Sequence, residues 1–563
     1  MGSLPEYSML RAGLGRRQLL RMAGLSAAAV GGLGLAQTGT ADASQLINLA
    51  TGADYEVSVA APDEATQQTQ ESSYPDNGKL LTDGNLAAGS QYTDEGWVGY
   101  LRQFGRTVEV DLGQVNTVHT LSLGFLFDSG AAIYLPDQVH ASLSLDNEHW
   151  FDAGTSPGDN TGTAADRRSV VVRVQPTYAR FVRLTFDVTV WCFVEEIKVT
   201  GQRGRAHGGR PPHGTPTPVP GSTDFLRQGT RRVGGVQNMF LAYTYDTRSG
   251  NADVGRWSAE DFAPVLSYIT GGRSRDRMWD TVLFVAGGAQ TDYADKAGWE
   301  DLLDRLFEPG TNIDALDAAA SRLRGSGRGG HRARVVLPIP YPLTDSEQPW
   351  GELDGRVLDF NPERVGADAA GANRLLVVRW FVDELVRRYH AKRRARLDFA
   401  GLYWMEERIV PRSENAELAR RTADHVHALP GDLKFYWIPY FEAYGYQSWQ
   451  SFGFDASMLQ PNYFFTSTLP STDTYRLEYA AELARLSGQG VELEIDDAAV
   501  TSADARQKWF NYLDVDHRVG ADRAIKGYYW GSRTTFEQMA SSSDPEVRRT
   551  YDRAYEFIAA SRR

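Results

Sequence analysis

Residues 491–497 read VELEIDD, an alternation of apolar and acidic side chains with the two-residue period of a β-strand. Val491, Leu493 and Ile495 share one face, and Glu492, Glu494 and Asp496 share the other. The apolar face calls for a layer of helices, so the carboxylates turn into a closed interior. A carboxylate there has to be paired, hydrated or catalytic, because burying it alone is very costly. Glu492, deeper along the strand, reads equally as a salt-bridged lumen residue, whereas Glu494 and Asp496 lie nearer the mouth.

Working outward, seven more apolar runs flank this one: Met239–Tyr245, Thr281–Ala286, Ala333–Ile339, Phe399–Met405, Lys434–Tyr440, Met458–Phe464 and Ala524–Trp530. The intervening stretches Trp299–Phe307, Asn373–His390 and Thr474–Leu486 carry helical spacing. Eight strands alternating with helices predict a (β/α)8 TIM-type barrel over 224–563, with its chemistry at the carboxyl ends of the strands. Those ends are crowded. Tyr243, Tyr245 and Trp404 come from strands one and four, Tyr440 and Glu442 from strand five, Asn462 and Tyr463 from strand six, and Trp530 from strand eight. With Asp496 they are the expected substrate-binding set. Strand four runs on into Glu406 and Glu407, and alternation puts Glu407 in phase with Tyr403. Carboxylates ending strands four and seven resemble the large clan of retaining glycosidases. That resemblance implies Glu406 or Glu407 as acid/base and Glu494 as nucleophile.

The barrel segment also resembles a bacterial family of unknown function, DUF4855, through YWMEE at 403–407, WIPYFEAYGY at 437–446 and QPNYFF at 460–465. The resemblance implies a secreted, glycosidase-like barrel and assigns no activity.

Residues 44–202 show short alternating runs with almost no helical periodicity, the pattern of a β-sandwich. LTDGN at 81–85, VEVDLG at 108–113, SLDNEHW at 144–150 and EEIKV at 195–199 make this segment similar to the discoidin, or F5/8 type C, jelly roll and to family 32 carbohydrate-binding modules. The resemblance implies a structural calcium held by Asp83, Asn85 and Glu195 or Glu196. By themselves these residues read equally as solvated turn and strand-end carboxylates. Trp97, Tyr100 and Tyr134 are candidate stackers, with a place in the core as the commoner fate. The Pro/Gly-rich run over 203–223 reads as a linker.

The first 43 residues hold Arg16-Arg17, an apolar Ala/Gly-rich run and Ala41-Asp42-Ala43, which together predict a twin-arginine signal peptide and secretion. No later stretch is apolar for long enough to span a membrane. The only cysteine, Cys192, excludes an intrachain disulfide and reads as a small core residue. Net charge is −13; the first 43 residues hold four arginines against Glu6 and Asp42, so their removal leaves −15. An acidic body excludes a nucleic-acid partner. Aromatic content, with 13 Trp and 26 Tyr, suits carbohydrate as the partner. No catalytic cofactor motif is present. The readings that follow are a glycoside hydrolase using two carboxylates, a non-catalytic glycan- or cell-wall-binding barrel, and a lyase or esterase in the same cleft.

Overall fold

The computed structural model describes residues 45–59, 71–102, 105–214, 224–245, 255–287, 290–323 and 332–562. The expected signal peptide at 1–43 and linker residues 215–223 lie outside them, as does the side chain of Tyr245.

The N-terminal domain is an antiparallel jelly roll, as its motifs imply. Two very long strands, Arg106–Phe127 and Asp166–Phe186, run side by side. Each was legible in the sequence as two short runs. Their pairing shifts register between Asp111 and Asn116 and again between Val118 and Thr120. Such bulges let one strand bend from one layer of a sandwich into the other. The inner faces meet over Val108, Val110, Leu121, Leu123, Val182, Leu184 and Cys192, all fully buried. The chain after Gln202 stays folded: Gly204 and Ala206 bond to the side chains of Asn116 and Thr117, and Tyr178 and Arg210 pair backbone to backbone. Residues 203–210 therefore belong to the jelly roll, because its sheet edge still has groups to satisfy.

The second domain is a closed barrel of eight strands: β1 Asn238–Tyr245, β2 Thr281–Gly287, β3 Ala333–Ile339, β4 Leu397–Trp404, β5 Lys434–Trp437, β6 Ala456–Leu459, β7 Gly490–Glu494 and β8 Lys526–Tyr529. Neighbours are parallel throughout, and β8 returns to β1 at Lys526↔Asn238. β4 carries a local irregularity at Gly401, where a Cβ would stand 1.9 Å from the Lys434 carbonyl oxygen, so only glycine lets β4 and β5 approach this closely. The predicted helices are present as Lys296–Leu306, Ala367–Ala391 and Tyr475–Leu486. Between β5 and β6 the chain forms only the 3-10 turn Tyr446–Ser448. There the jelly roll meets the barrel, with Tyr134 against Tyr444 (ring centroids 5.6 Å) and Arg102 bonded to the Glu442 carbonyl (3.0 Å). Among the described residues no helix is long and apolar enough to cross a membrane.

Nine of the 13 tryptophans are fully buried in the barrel domain. The tryptophan content thus feeds the core, where each ring removes a large apolar surface from water.

Candidate active site

β7 ends at Glu494, whose side chain is 2% exposed at the carboxyl end of the barrel. After a single helical turn at Ala498–Thr501, the helix Ala503–Val519 brings Tyr512 over it, and the Tyr512 hydroxyl donates to Oε2 of Glu494. The same hydroxyl accepts the N–H groups of Tyr463 and Phe464, each at 3.2 Å. The backbone N–H groups of Asn462 and Tyr463 face Glu494 as well. Asn462 holds this loop with a left-handed φ of 50°, which asparagine tolerates better than most residues. Burial pushes Glu494 up to about 7, against the Tyr512 bond and with the charge of Glu407 adding to the rise.

Glu407 follows β4. It accepts Nε2 of Gln460 at 3.0 Å, and that amide is itself fixed by a bond to the Ile438 carbonyl at 2.7 Å. Burial pushes Glu407 up to about 7, opposed by the Gln460 bond and assisted by neighbouring Glu406. Glu406 is engaged differently: its Oε1 accepts the Arg408 N–H at 3.2 Å and lies 3.5 Å from Arg408 Nε. Its carbonyl takes the Trp437 indole N–H at 2.7 Å, which ties the end of β4 to β5.

Glu492 is 3% exposed, one inward position below Glu494. Among the described residues it makes no salt bridge, which corrects the reading of it as an ion-paired lumen residue. Burial first, then the charges of Glu494 and Glu407, push it far above the ordinary carboxylate range. Gly527, its partner across β7 and β8, sets no side chain against it. Tyr243 and Tyr403 complete this layer as electrostatic neighbours of Glu407 and Glu492, and Tyr529 meets Tyr243 edge to face at 5.4 Å.

Other expected residues go elsewhere. Trp404 is out of phase with Tyr403 and packs between Tyr341 and Phe435 in the layer behind the strands. Trp530 lies past the end of β8 among Trp279, Trp509 and Phe536. Both are 1% exposed and offer no face to a ligand. Tyr463 is fully buried, with its hydroxyl accepting Asn511 Nδ2 at 3.0 Å. Asp496 accepts the Ala498 N–H at 2.8 Å and so shapes the turn leaving β7. Glu442 is drawn to Arg102 of the jelly roll at 3.5 Å. Tyr440, partly buried, bridges to Gln460 beside the site.

Sequence reasoning missed Tyr512 and Arg476. Tyr512 sits on an amphipathic helix where any aromatic reads as core. Arg476 lies over the Phe441 ring (4.5 Å), donates to Thr466 Oγ1 at 3.3 Å, and has Glu442 and Glu494 as neighbouring charges. Nothing in local spacing separates it from a surface arginine.

In the jelly roll, Trp97, Tyr100 and Tyr134 are all buried, Trp97 beneath the Arg167 guanidinium and Tyr134 against the barrel. Glu195 is held by Arg167 at 2.8 Å, so its charge is already met. Glu196 accepts Gly84 N–H at 3.2 Å; burial pushes it up to about 7, and Asp83 raises it further. Asp83 and Asn85 are exposed on the turn, where Asp83 caps the Asn85 N–H at 2.8 Å. Of the residues expected to hold a calcium, Asp83 and Glu196 are electrostatic neighbours at this turn, whereas Glu195 is engaged by Arg167. Among the described residues no three His, Cys, Asp or Glu side chains converge as a metal site.

The fold and site define a parallel barrel with a carboxyl-lined mouth, joined to a jelly-roll module. The chain belongs to the family described as "Domain of unknown function (DUF4855)", whose model matches residues 238–556. No curated protein matches. Among solved structures the chain is similar to SpGH29 (18% identity, 28% of each chain, TM-score 0.18), of whose length it thus spans little more than a quarter. It is also similar to the module CpGH89CBM32-5 from Clostridium perfringens, solved with GalNAc-β-1,3-galactose (15% identity, 27% of this chain and 99% of that chain, TM-score 0.20). A third likeness is to the C-terminal domain of a chitobiase from Bacteroides fragilis (18% identity, 27% and 96%, TM-score 0.20).

Proposed function

We propose that the chain is a secreted glycoside hydrolase in which Glu407 is the acid/base and Glu494 the nucleophile. The observation that carries this reading is the meeting of two carboxyls at the barrel mouth, both pushed up to about 7 yet differently held. Glu494 receives a phenol and backbone amides, which favour its ionised form. Glu407 has a single amide donor and an acidic neighbour, which favour keeping a proton to give. Glycoside hydrolysis needs these opposed tasks. Protonated Glu407 gives its proton to the glycosidic oxygen as the bond to the anomeric carbon breaks, and the Glu494 carboxylate bonds to that carbon. Water then loses a proton to Glu407, bonds to the anomeric carbon and releases Glu494.

Export by the twin-arginine route, argued from the N-terminal motif, and a calcium at the Asp83 turn with glycan binding by the jelly roll, argued from sequence resemblance, are part of the proposal. The test is hydrolysis of a panel of aryl glycosides and cell-wall polysaccharides. Glu494→Gln should abolish turnover without loss of folding. Glu407→Gln should cost roughly 10² to 10⁴-fold, except on substrates with good leaving groups. Wild-type rates from Glu494→Gln, or glycan binding without turnover in the unaltered chain, would move the barrel to the binding reading.

A further inference from the structure

Only two aromatic side chains among the described residues are exposed: Phe465 at 45% and Tyr475 at 38%. Both lie on the single connection that leaves β6, which also supplies the backbone amides facing Glu494. The other rings among the described residues are buried or partly buried, and Tyr475 is itself held by stacking on Tyr479 at 5.8 Å, so the two exposed rings form fixed apolar faces at one edge of the site. The loop bearing Phe465 is built, not loose. Lys508 Nζ donates to the Thr466 carbonyl at 2.9 Å, Tyr512 accepts the Phe464 N–H, and Arg476 donates to Thr466 Oγ1, which ties the loop to the start of the helix carrying Tyr475. Phe465 also continues inward. It meets Tyr529 edge to face at 5.6 Å, and Tyr529 meets Tyr243 at 5.4 Å, in the layer beside Glu407 and Glu492. The rings thus run in unbroken contact from the carboxyl site to the rim.

We infer that Phe465 and Tyr475 form a subsite for sugar rings beyond the cleaved bond, so that the substrate is a chain laid across the β6 edge of the barrel. The flat apolar faces of pyranose rings match such platforms, and the Arg476 guanidinium beside them can donate to ring hydroxyls. This inference rests on the glycosidase reading for its catalytic part and on geometry alone for its binding part.

Two measurements separate these parts. With an oligosaccharide that the unaltered protein cleaves, Phe465→Ala should raise KM roughly tenfold with kcat nearly unchanged. On a single-sugar aryl glycoside the same variant should change KM far less than on the oligosaccharide, and Phe465→Tyr should restore KM on the latter. Equal KM values for Phe465→Ala and the unaltered protein on the oligosaccharide would overturn the inference. Independently of turnover, retardation of the full chain with Glu494→Gln in gels containing each polysaccharide should weaken when Phe465→Ala is added. Retardation by some polymer that depends on Phe465 supports the subsite even if no glycoside is cleaved. Retardation unaffected by Phe465→Ala, or by Tyr475→Ala, overturns it even in an active enzyme. A chain that sediments as a dimer and becomes monomeric on Phe465→Ala would assign the two rings to a second copy and likewise overturn it.

Discussion

At the scale of the residue, the site depends on how one carboxyl is held. Tyr512 both donates to Glu494 and accepts from the loop after β6, so a single oxygen links that carboxyl and the loop. Tyr512→Phe removes a donor that favours ionised Glu494, which raises the pKa of that carboxyl further. The rising limb of the pH–rate profile should shift to higher pH, and kcat should fall about tenfold or more, read from initial rates between pH 4 and 9. An unshifted limb would show that Tyr512 acts only in packing. The inward set Glu492, Glu494 and Tyr403 was legible from alternation alone, because a strand's period is short and rigid. The partners were not: Tyr512 reaches Glu494 from another element, and a contact made by tertiary packing leaves no mark in local spacing. For the same reason Trp404 and Trp530, expected at the cleft, proved to be core. A tryptophan satisfies a hydrophobic interior as readily as a ligand.

Elements show where local pattern suffices. All eight strands stand where apolar runs predict them, although β6 ends at Leu459, so that Gln460, Asn462 and Tyr463 belong to the loop beyond. Loop conformation follows its contacts, here Tyr512 and Lys508, and could not be read from residues in sequence. β4 depends on Gly401, whose missing side chain lets the Lys434 carbonyl approach. Gly401→Ala should push β4 from β5 and cost more than about 2 kcal/mol in urea denaturation, with activity falling because Glu406 and Glu407 ride on that strand's end. A loss of a few tenths of a kcal/mol would mean that the strands part easily there.

Across the whole molecule, buried acids tie stability to pH. The folded-state pKa of Glu407 and that of Glu494 stand near 7, above the ordinary 4.5, so the folded chain binds more protons than the unfolded one between these limits. Stability should therefore fall as pH rises from about 4.5 to 7, by on the order of 3 kcal/mol for a lone group so shifted. Glu494→Gln, which cannot ionise, should flatten that slope in urea midpoints. A stability rising over the same window would contradict the burial of these groups. The second long-range link joins the domains. Asn160 of the jelly roll donates to the Pro411 carbonyl at 2.6 Å, and Arg412 Nε reaches Asp137 Oδ1 at 2.8 Å. Both barrel residues lie on the loop that continues from Glu407. Asn160 is 4% exposed, so Asn160→Ala should cost about 1 to 3 kcal/mol and lower kcat by displacing that loop. Unaltered activity with lowered stability would limit Asn160 to anchoring the domains.

That grip has a consequence for ancestry and for engineering alike. A module joined only by a tether can be exchanged as a cassette, but here the jelly roll braces the loop that continues from Glu407. Any recombinant that swaps the module must carry over matching partners for Pro411, Arg412 and Glu442, or accept a loosened loop after Glu407. The two domains are in that sense one heritable unit, and lineages that shuffle the module freely should have rebuilt this loop.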